Sequence, residues 1–292
     1  MTSIKRSPST KPLVEVAARF SLDGTTSSDA LPRLAKELRA ERYGFTNLLT
    51  TNEYQLLSVE APNVPVDELK TAIRWRLKDM LDFHIDDATI DVLDVPLDKN
   101  AGNRNHSMYA VAARNQVIEQ RQTLFSEAKL ALRVIDIPEM AQRNIAALLE
   151  PEGRGLALLS FDTEGGLLTV SYGGDLYLSR RIDVTLEQLQ QTDEDQRKSC
   201  YERITLELQR SLDHFDRQYH YITLSKLVLA PLGATETGLL EYLTENLYIP
   251  IEALNLETIL DCSKVPALRS LDVQQAYFLA LGASLRPESV AS

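Results

Sequence analysis

The chain has 292 residues, 44% of them hydrophobic and 25% charged, and its formal net charge is −11. Such a length and composition make one large or two ordinary globular domains, not a disordered chain. The acidic balance argues against nucleic acid as a partner, because neutralising phosphates takes a basic face. Two cysteines, Cys200 and Cys262, are too few for a disulfide framework and fit a reducing compartment. No apolar run reaches the roughly 18 residues of a membrane span, and the polar N-terminus does not read as a signal peptide. The first dozen residues alone run basic, with Lys5, Arg6 and Lys11 and no acid. They read as a flexible tail over 1–12, able at most to tether weakly to anionic lipid or an acidic partner at ~1 kcal/mol per basic residue.

In chain order, a strand is expected at 13–20 and a helix at 30–42, with Asp29 as its N-cap and Pro32 in its first turn. A strand at 46–49 follows. The stretch 54–114 reads strand–helix–strand–strand and is expected as an inserted subdomain. Its helix, 65–81, puts Leu69, Ala72, Ile73, Leu77, Met80 and Leu81 on a buried face, with Arg74, Arg76, Lys78, Asp79 and Asp82 largely on the other side. The polar segment 98–106 reads as a mobile tip between two strands. A helix at 117–129, a strand at 132–135 and a helix at 138–149 close the first half, and Pro151, Gly153 and Gly155 punctuate the join.

The second half is plainer. A continuous apolar run at 156–161 reads as a strand, and strands at 167–172 and 176–182 flank the hairpin turn Gly173-Gly174-Asp175. After a polar linker at 188–198 comes a long helix, in which Tyr201, Ile204, Leu208, Leu212, Phe215 and Tyr219 form one apolar stripe. A strand at 226–230, a helix at 236–246, a strand at 249–254 and a helix at 274–285 complete the chain. Three antiparallel strands followed by helix–strand–helix–strand–helix is the ribonuclease-H-like layout, and two such units in tandem make the actin-like fold. The first half repeats this plan without the two strands that should open it. The expected architecture is therefore α/β, with a truncated first lobe at 13–150, its insertion at 54–114, and a second lobe at 151–292.

Three stretches resemble the PilM-like proteins of type IV pilus assembly, most closely the MshI branch serving mannose-sensitive haemagglutinin (MSHA) pili. The first runs Tyr54-Gln-Leu-Leu-Ser-Val-Glu-Ala-Pro-Asn-Val-Pro65 and on to Ala72-Ile-Arg-Trp-Arg-Leu-Lys-Asp-Met-Leu-Asp-Phe83. The second is Val134-Ile-Asp-Ile-Pro138. The third is Arg210-Ser-Leu-Asp-His-Phe215, followed by a strand ending Leu229-Ala-Pro231. The resemblance implies a PilM/FtsA-type actin-like protein, cytoplasmic and peripheral at the inner membrane of a Gram-negative bacterium. It also implies that such a protein grips the N-terminal tail of a bitopic PilN-like partner and so joins the pilus platform. Trp75 is the one tryptophan of the chain and sits off the apolar stripe beside basic residues, as binding hot spots often do. Trp75, Arg74, Lys78 and Tyr54 are thus the expected partner-binding residues. The groove is expected where the insertion meets the first lobe, since an extended tail can pair there with a strand edge. The missing strands leave an open edge that a partner strand or a second copy, in a homodimer, would cover.

Actin-like ATPases cradle phosphates on two hairpin turns and hold adenosine on a glycine-rich turn. Asp23-Gly-Thr-Thr-Ser-Ser28 imitates the first phosphate turn but precedes a helix rather than joining paired strands. At the second turn Asp162 is in place, yet Glu164 stands where glycine is called for, next to Gly165. A carboxylate there would repel a phosphate by ~4 kcal/mol at 4 Å and an effective dielectric near 20. The adenosine turn, Pro231-Leu-Gly-Ala-Thr235, keeps one glycine, Gly233. The expectation is a non-catalytic adaptor with no cofactor. The alternative is a nucleotide-binding actin-like ATPase regulating pilus or secretion-system assembly. The structural lobe of a secretion platform shares the fold, but such a protein usually continues into a membrane span. A nuclease using Asp162 with Glu207 or Asp213 is disfavoured by the acidic charge. His84, His106, His214 and His220 lack metal-ligand spacing.

Overall fold

The computed structural model describes residues 1–7, 10–20, 27–37, 40, 43–65, 68–96, 106–235 and 237–287. In chain order the elements begin with β1 (Thr2–Ser7), β2 (Thr10–Ala17), α1 (Ser27–Glu37) and β3 (Gly44–Leu48). Next come β4 (Tyr54–Glu60), α2 (Leu69–Leu77), β5 (Ala88–Asp94), β6 (Ser107–Arg114), α3 (Asn115–Glu127), β7 (Ala131–Asp136) and α4 (Pro138–Ala146). The remainder is β8 (Gly155–Asp162), β9 (Gly165–Tyr172), β10 (Asp175–Ile182), α5 (Leu186–Leu189) and α6 (Glu194–Gln218). It ends with β11 (Leu224–Leu229), α7 (Leu239–Asn246), β12 (Ile251–Ala253) and α8 (Leu271–Ser284). Two compact units result, one of Met1–Ala18 with Glu139–Ser292 and the other of Arg19–Pro138.

In the first unit, β8 is buried on both faces from Gly155 to Phe161, apolar but for Ser160, so it occupies the sheet centre. The five-stranded order is β10-β9-β8-β11-β12, with β8, β11 and β12 parallel and β9 and β10 returning antiparallel. Gly173 and Gly174, at φ +61° and +83°, make the tight β9–β10 turn that a side chain would strain. A core of Leu156, Leu158, Val228, Leu254, Phe278 and Leu281 fills one side of this sheet. On α4, fully buried Gln142 satisfies its amide by donating to the Leu158 and Leu167 carbonyls and accepting from the Ser160 hydroxyl at 2.6 Å.

Several expectations are corrected here. Residues 1–12 are not a flexible tail but β1 and the start of β2, an antiparallel hairpin. Val14 is fully buried, and Ile4 and Ala17 pack against the same core. Thr2 Oγ1 donates to the Ala280 carbonyl at 2.7 Å, and the Met1 amine to the Ala18 carbonyl at 2.6 Å. With β1 present, the first half lacks one opening strand relative to the second, not two. The division of the chain also falls at 138–139 rather than 150, and the β1–β2 hairpin joins the later residues. α4 goes with them because it lies against α8, where a Cβ on Gly282 would come 2.2 Å from the Ala141 carbonyl oxygen. The linker at 188–198 is largely helical: Thr185 and Gln188 form a capping box on α5, and Asp193 caps α6. α1 starts at Ser27, so Asp29 lies inside it rather than capping it, and Pro32 falls mid-helix.

In the second unit, β3 pairs in parallel with β7, and β4, β6 and β5 form an antiparallel sheet in that order. α2 is shorter than the sequence suggests, and past Leu77 the chain continues as turns that leave Met80 46% exposed. Ile73 and Leu77 of α2 are fully buried on Val59, Ala88, Met108 and Ala110 of the antiparallel sheet. Phe45 of β3 and Phe125 of α3 meet at 5.7 Å within a second core shared with α1. Lys129, at φ +57°, reverses the chain after α3, with the Leu130 N–H closing on the Phe125 carbonyl. The segment 97–105, most of the expected tip, lies outside the described residues, as does 21–26, which carries most of the phosphate-turn imitation.

Candidate functional site

An open cavity of about 570 Å³ lies within the second unit. Three elements wall it. Ile118, Gln122 and Phe125 come from α3, Ala131–Ile135 from β7, and Thr89, Asp91, Val111 and Ala113 from the antiparallel sheet. Strand geometry explains the last set. Side chains alternate across a sheet, and directly opposite residues share a face. Leu57↔Ala110 and Val59↔Met108 therefore point to α2, while Leu56↔Val111↔Asp91 and Tyr54↔Ala113↔Thr89 point the other way. One small sheet thus seals a core on one face and lines a cavity on the other.

Among the described residues, β7 pairs only with β3. Its second edge therefore offers backbone N–H and C=O groups beside an apolar hollow, an arrangement suited to an added extended strand. Of the two charged groups lining the cavity, Asp91 is bound to Lys70 at 2.8 Å across the edge of β5, whereas Arg133 has no ion-pair partner among the described residues. At the root of the subdomain, Glu53 holds the Thr50 N–H at 2.9 Å with one oxygen and Arg121 of α3 with the other. Burial pushes the Glu53 carboxyl up, but the Arg121 and Thr50 hydrogen bonds and the Arg121 charge outweigh this and hold it below the usual range.

The four expected partner-binding residues are not gathered at the cavity. Arg74, Trp75 and Lys78 belong to α2 or its C-terminus, on the opposite face of the sheet. Arg74 is engaged internally, donating to the Ala88 carbonyl at 3.1 Å and to Asp86 at 3.2 Å. Trp75 is 72% exposed and Lys78 is exposed. Tyr54 shares the cavity face but is buried, so it is a core residue rather than a surface contact. The residues that do form the hollow were not singled out from sequence. Val111 and Ala113 look like ordinary strand residues, and Phe125 like an ordinary helix residue.

In the first unit, the expected degenerate nucleotide turns are ordered by contacts within the chain. Asp162 accepts the Glu164 N–H at 2.8 Å, and Glu164 is exposed at the turn. Burial raises the Asp162 carboxyl, helped by the Glu164 charge and opposed by the Glu164 and Gly165 backbone bonds and by Arg181. Gly165, at φ +130°, is demanded by packing, since a Cβ would sit 2.8 Å from the Ile182 carbonyl. At the other turn the Asp272 carboxylate takes the Ala234 N–H at 2.7 Å and lies 2.8 Å from where a Gly233 Cβ would be. Gln190 donates to the Leu232 carbonyl at 2.8 Å. Among the described residues no group of His, Cys, Asp and Glu is arranged to hold a metal, and no helix is long and apolar enough to cross a membrane.

No protein-family model matches the sequence, and no curated protein does. Structural likeness is clearer. A chain of a PilM–PilN type IV pilus biogenesis complex superposes with a TM-score of 0.75 over 98% of this chain and 95% of its own, at 19% identity. The fold is actin-like. Two weaker likenesses are a Bacteroides thetaiotaomicron protein of actin-like ATPase fold and unknown function (TM-score 0.47, 8% identity, covering 92% and 95%) and the cytoplasmic domain of EpsL from the Vibrio cholerae type II secretion system (TM-score 0.40, 15% identity, covering 65% and 75%). The β10-β9-β8-β11-β12 order is the ribonuclease-H-like half of this fold, and the β4–β6 stretch stands within the first half as an α+β subdomain.

Proposed function

We propose that this chain is a non-catalytic adaptor of a type IV pilus inner-membrane platform. In this reading it holds the cytoplasmic N-terminal tail of a PilN-like bitopic protein as an extended strand on the free edge of β7. The single observation carrying the reading is that edge, fronting an apolar cavity inside one compact unit. Likeness to a chain of a PilM–PilN complex supports the choice of partner. The motif at 54–83 supports the MSHA branch. The adaptor would be cytoplasmic and reach the inner membrane of its Gram-negative host through the partner. Each added backbone bond contributes about 0.5–1.5 kcal/mol, so the backbone alone binds a strand weakly and the affinity depends on apolar side chains seated in the hollow.

The absence of catalysis belongs to the same proposal. Glu164 would face a phosphate with like charge, and the Asp272 carboxylate, which accepts the Ala234 N–H, puts a further negative charge at the Gly233 turn. No cofactor is assigned.

A synthetic peptide of the membrane partner's cytoplasmic tail, titrated calorimetrically, tests the reading. Binding is expected to weaken at least tenfold in Val111→Asp, which places a charge in the hollow, and to be unchanged in Trp75→Ala. Equal affinity in wild type and Val111→Asp would overturn the groove. Saturable Mg-ATP binding at millimolar concentration would overturn the nucleotide-free part of the proposal.

A further inference from the structure

Within the groove the two charges are unequal: Asp91 is held by Lys70 at 2.8 Å, whereas Arg133 is exposed and makes no ion pair with a described residue. The place of Arg133 on β7 is also irregular. In the β3–β7 register Phe45 lies opposite Leu132 and Thr46 opposite Val134, so Arg133 is the extra residue of a bulge, a device that re-aims a side chain. Gly44 leaves room for that side chain, since a Cβ there would come 2.8 Å from Arg133 Cγ. Further along β7, the Asp136 carbonyl accepts the Leu49 N–H at 2.9 Å on the β3 side. Backbone groups alternate along a strand, so those of Ile135 turn to the free edge. A strand that pairs at Ile135 therefore runs past Arg133, two residues away.

From this we infer that Arg133 sets the specificity of the groove. It selects an extended apolar segment carrying a carboxylate side chain, Asp or Glu, where the segment passes it, and rejects one with Lys or Arg at that place. The inference rests on the groove proposed above and adds the chemistry of its occupant. A strand laid along the edge strips water from a guanidinium that cannot give up its charge. The nearby lining of Val111, Phe125, Val134 and Ile135 offers it nothing in return. A charge covered without a partner is costly, and a carboxylate taken by the planar guanidinium fork is the side chain that best meets that cost. A basic side chain would meet like charge, and such a repulsive element is a common source of specificity.

Other occupants fit this edge less well. A second copy pairing β7 against β7 about a two-fold axis would bring two Arg133 side chains onto one short strand pair, like against like. A free inorganic anion would find a single exposed cation beside an apolar wall. A bulge and a charge can also serve only to guard an edge against pairing. Such a guard would turn every strand away, and no peptide would gain from carrying an acid.

The test is selection of a displayed random-peptide library on the full wild-type chain and on Arg133→Glu, with the recovered peptides synthesised and titrated calorimetrically at low and high salt. The wild type is expected to recover apolar peptides with Asp or Glu at one fixed position. Exchanging that acid for Lys should weaken binding by about fivefold or more at low salt, and by less at high salt. Arg133→Glu should invert the preference and Arg133→Ala should abolish it, both with unchanged circular dichroism because the side chain is exposed. Peptides that lose affinity in Val111→Asp but bind wild type and Arg133→Glu alike overturn the role of Arg133 and leave the groove standing. An acid preference that persists in Arg133→Glu does the same. No recovered peptide, or peptides indifferent to Val111→Asp, overturn the groove and this inference together.

Discussion

Replacing Glu53 by glutamine removes the charge that ties the root of the subdomain to α3. The side chains of Glu53 and Arg121 are 23% and 27% exposed, so water screens the pair only in part. Glu53 accepts from both Arg121 and the Thr50 N–H, and glutamine can retain the second bond only in neutral form. Losing a hydrogen bond between charged groups costs about 1.5–3 kcal/mol. At about 2–4 °C per kcal/mol for a chain of this size, melting should fall by about 3–12 °C. The pH dependence is more diagnostic. Because the folded carboxyl is held below its unfolded value, its contribution is fully present above that unfolded value, about 4.3, and disappears as pH falls through the folded one. The melting difference between wild type and Glu53→Gln, followed by scanning calorimetry, should therefore be largest near neutrality and close in acid. A difference that stays constant or widens on acidification would show that the carboxylate charge is not what binds the two elements. Since Arg121 lies on the helix that walls the cavity, tail affinity should fall along with stability.

At Gly282, alanine would place a Cβ 2.2 Å from the Ala141 carbonyl oxygen and 3.2 Å from Ile145 Cδ1, and the obstacle is helix backbone rather than a movable side-chain tip. Forcing α4 and α8 apart also stretches the 2.9 Å bond from Asn144 to the Gly282 carbonyl. Even after the helix-propensity gain of alanine, a net loss of about 1–3 kcal/mol is expected by denaturant unfolding, and a neutral result would refute the close approach. For Asp162 the sign is opposite to that of Glu53. Its folded carboxyl is raised, chiefly by burial, so ionisation at neutral pH works against the fold and the penalty vanishes as pH falls through the unfolded value. Asp162→Asn should therefore melt higher than wild type at pH 7 and no higher in acid; a lower melting temperature at pH 7 would mean that the charged form is what the turn requires.

The second half was legible in sequence because its signals are local. The apolar run of β8, the glycine pair at 173–174 and the stripe on α6 each declare an element without help from elsewhere. The opening hairpin was missed because Lys5, Arg6 and Lys11 suggested solvation. In the structure, Lys5 and Arg6 are exposed positions of a strand whose Ile4 packs inward, and Lys11 donates to the Glu257 carbonyl. Ile4 and Lys5 alternate inward and outward, but the exposed Arg6 beside Lys5 and the irregular register between Lys5 and Ser7 blur the period-2 signal.

The cavity was illegible for a different reason. Nothing in Val111, Ala113 or Phe125 marks a site until the register of β4, β6 and β5 assigns each side chain a face. Once Leu57↔Ala110 and Val59↔Met108 are fixed toward α2, the neighbouring rows must face away from it, and Trp75 is separated from the cavity by the sheet. A slip of one residue in β6 would exchange Val111 and Ala113 for Ala110 and Ala112 and reverse both faces. The same constraint therefore determines which residues can receive an extended tail and which cannot. Tail binding is consequently separable from the exposed face of α2 by mutation: Val111→Asp should weaken it at least tenfold, and Trp75→Ala should leave it unchanged.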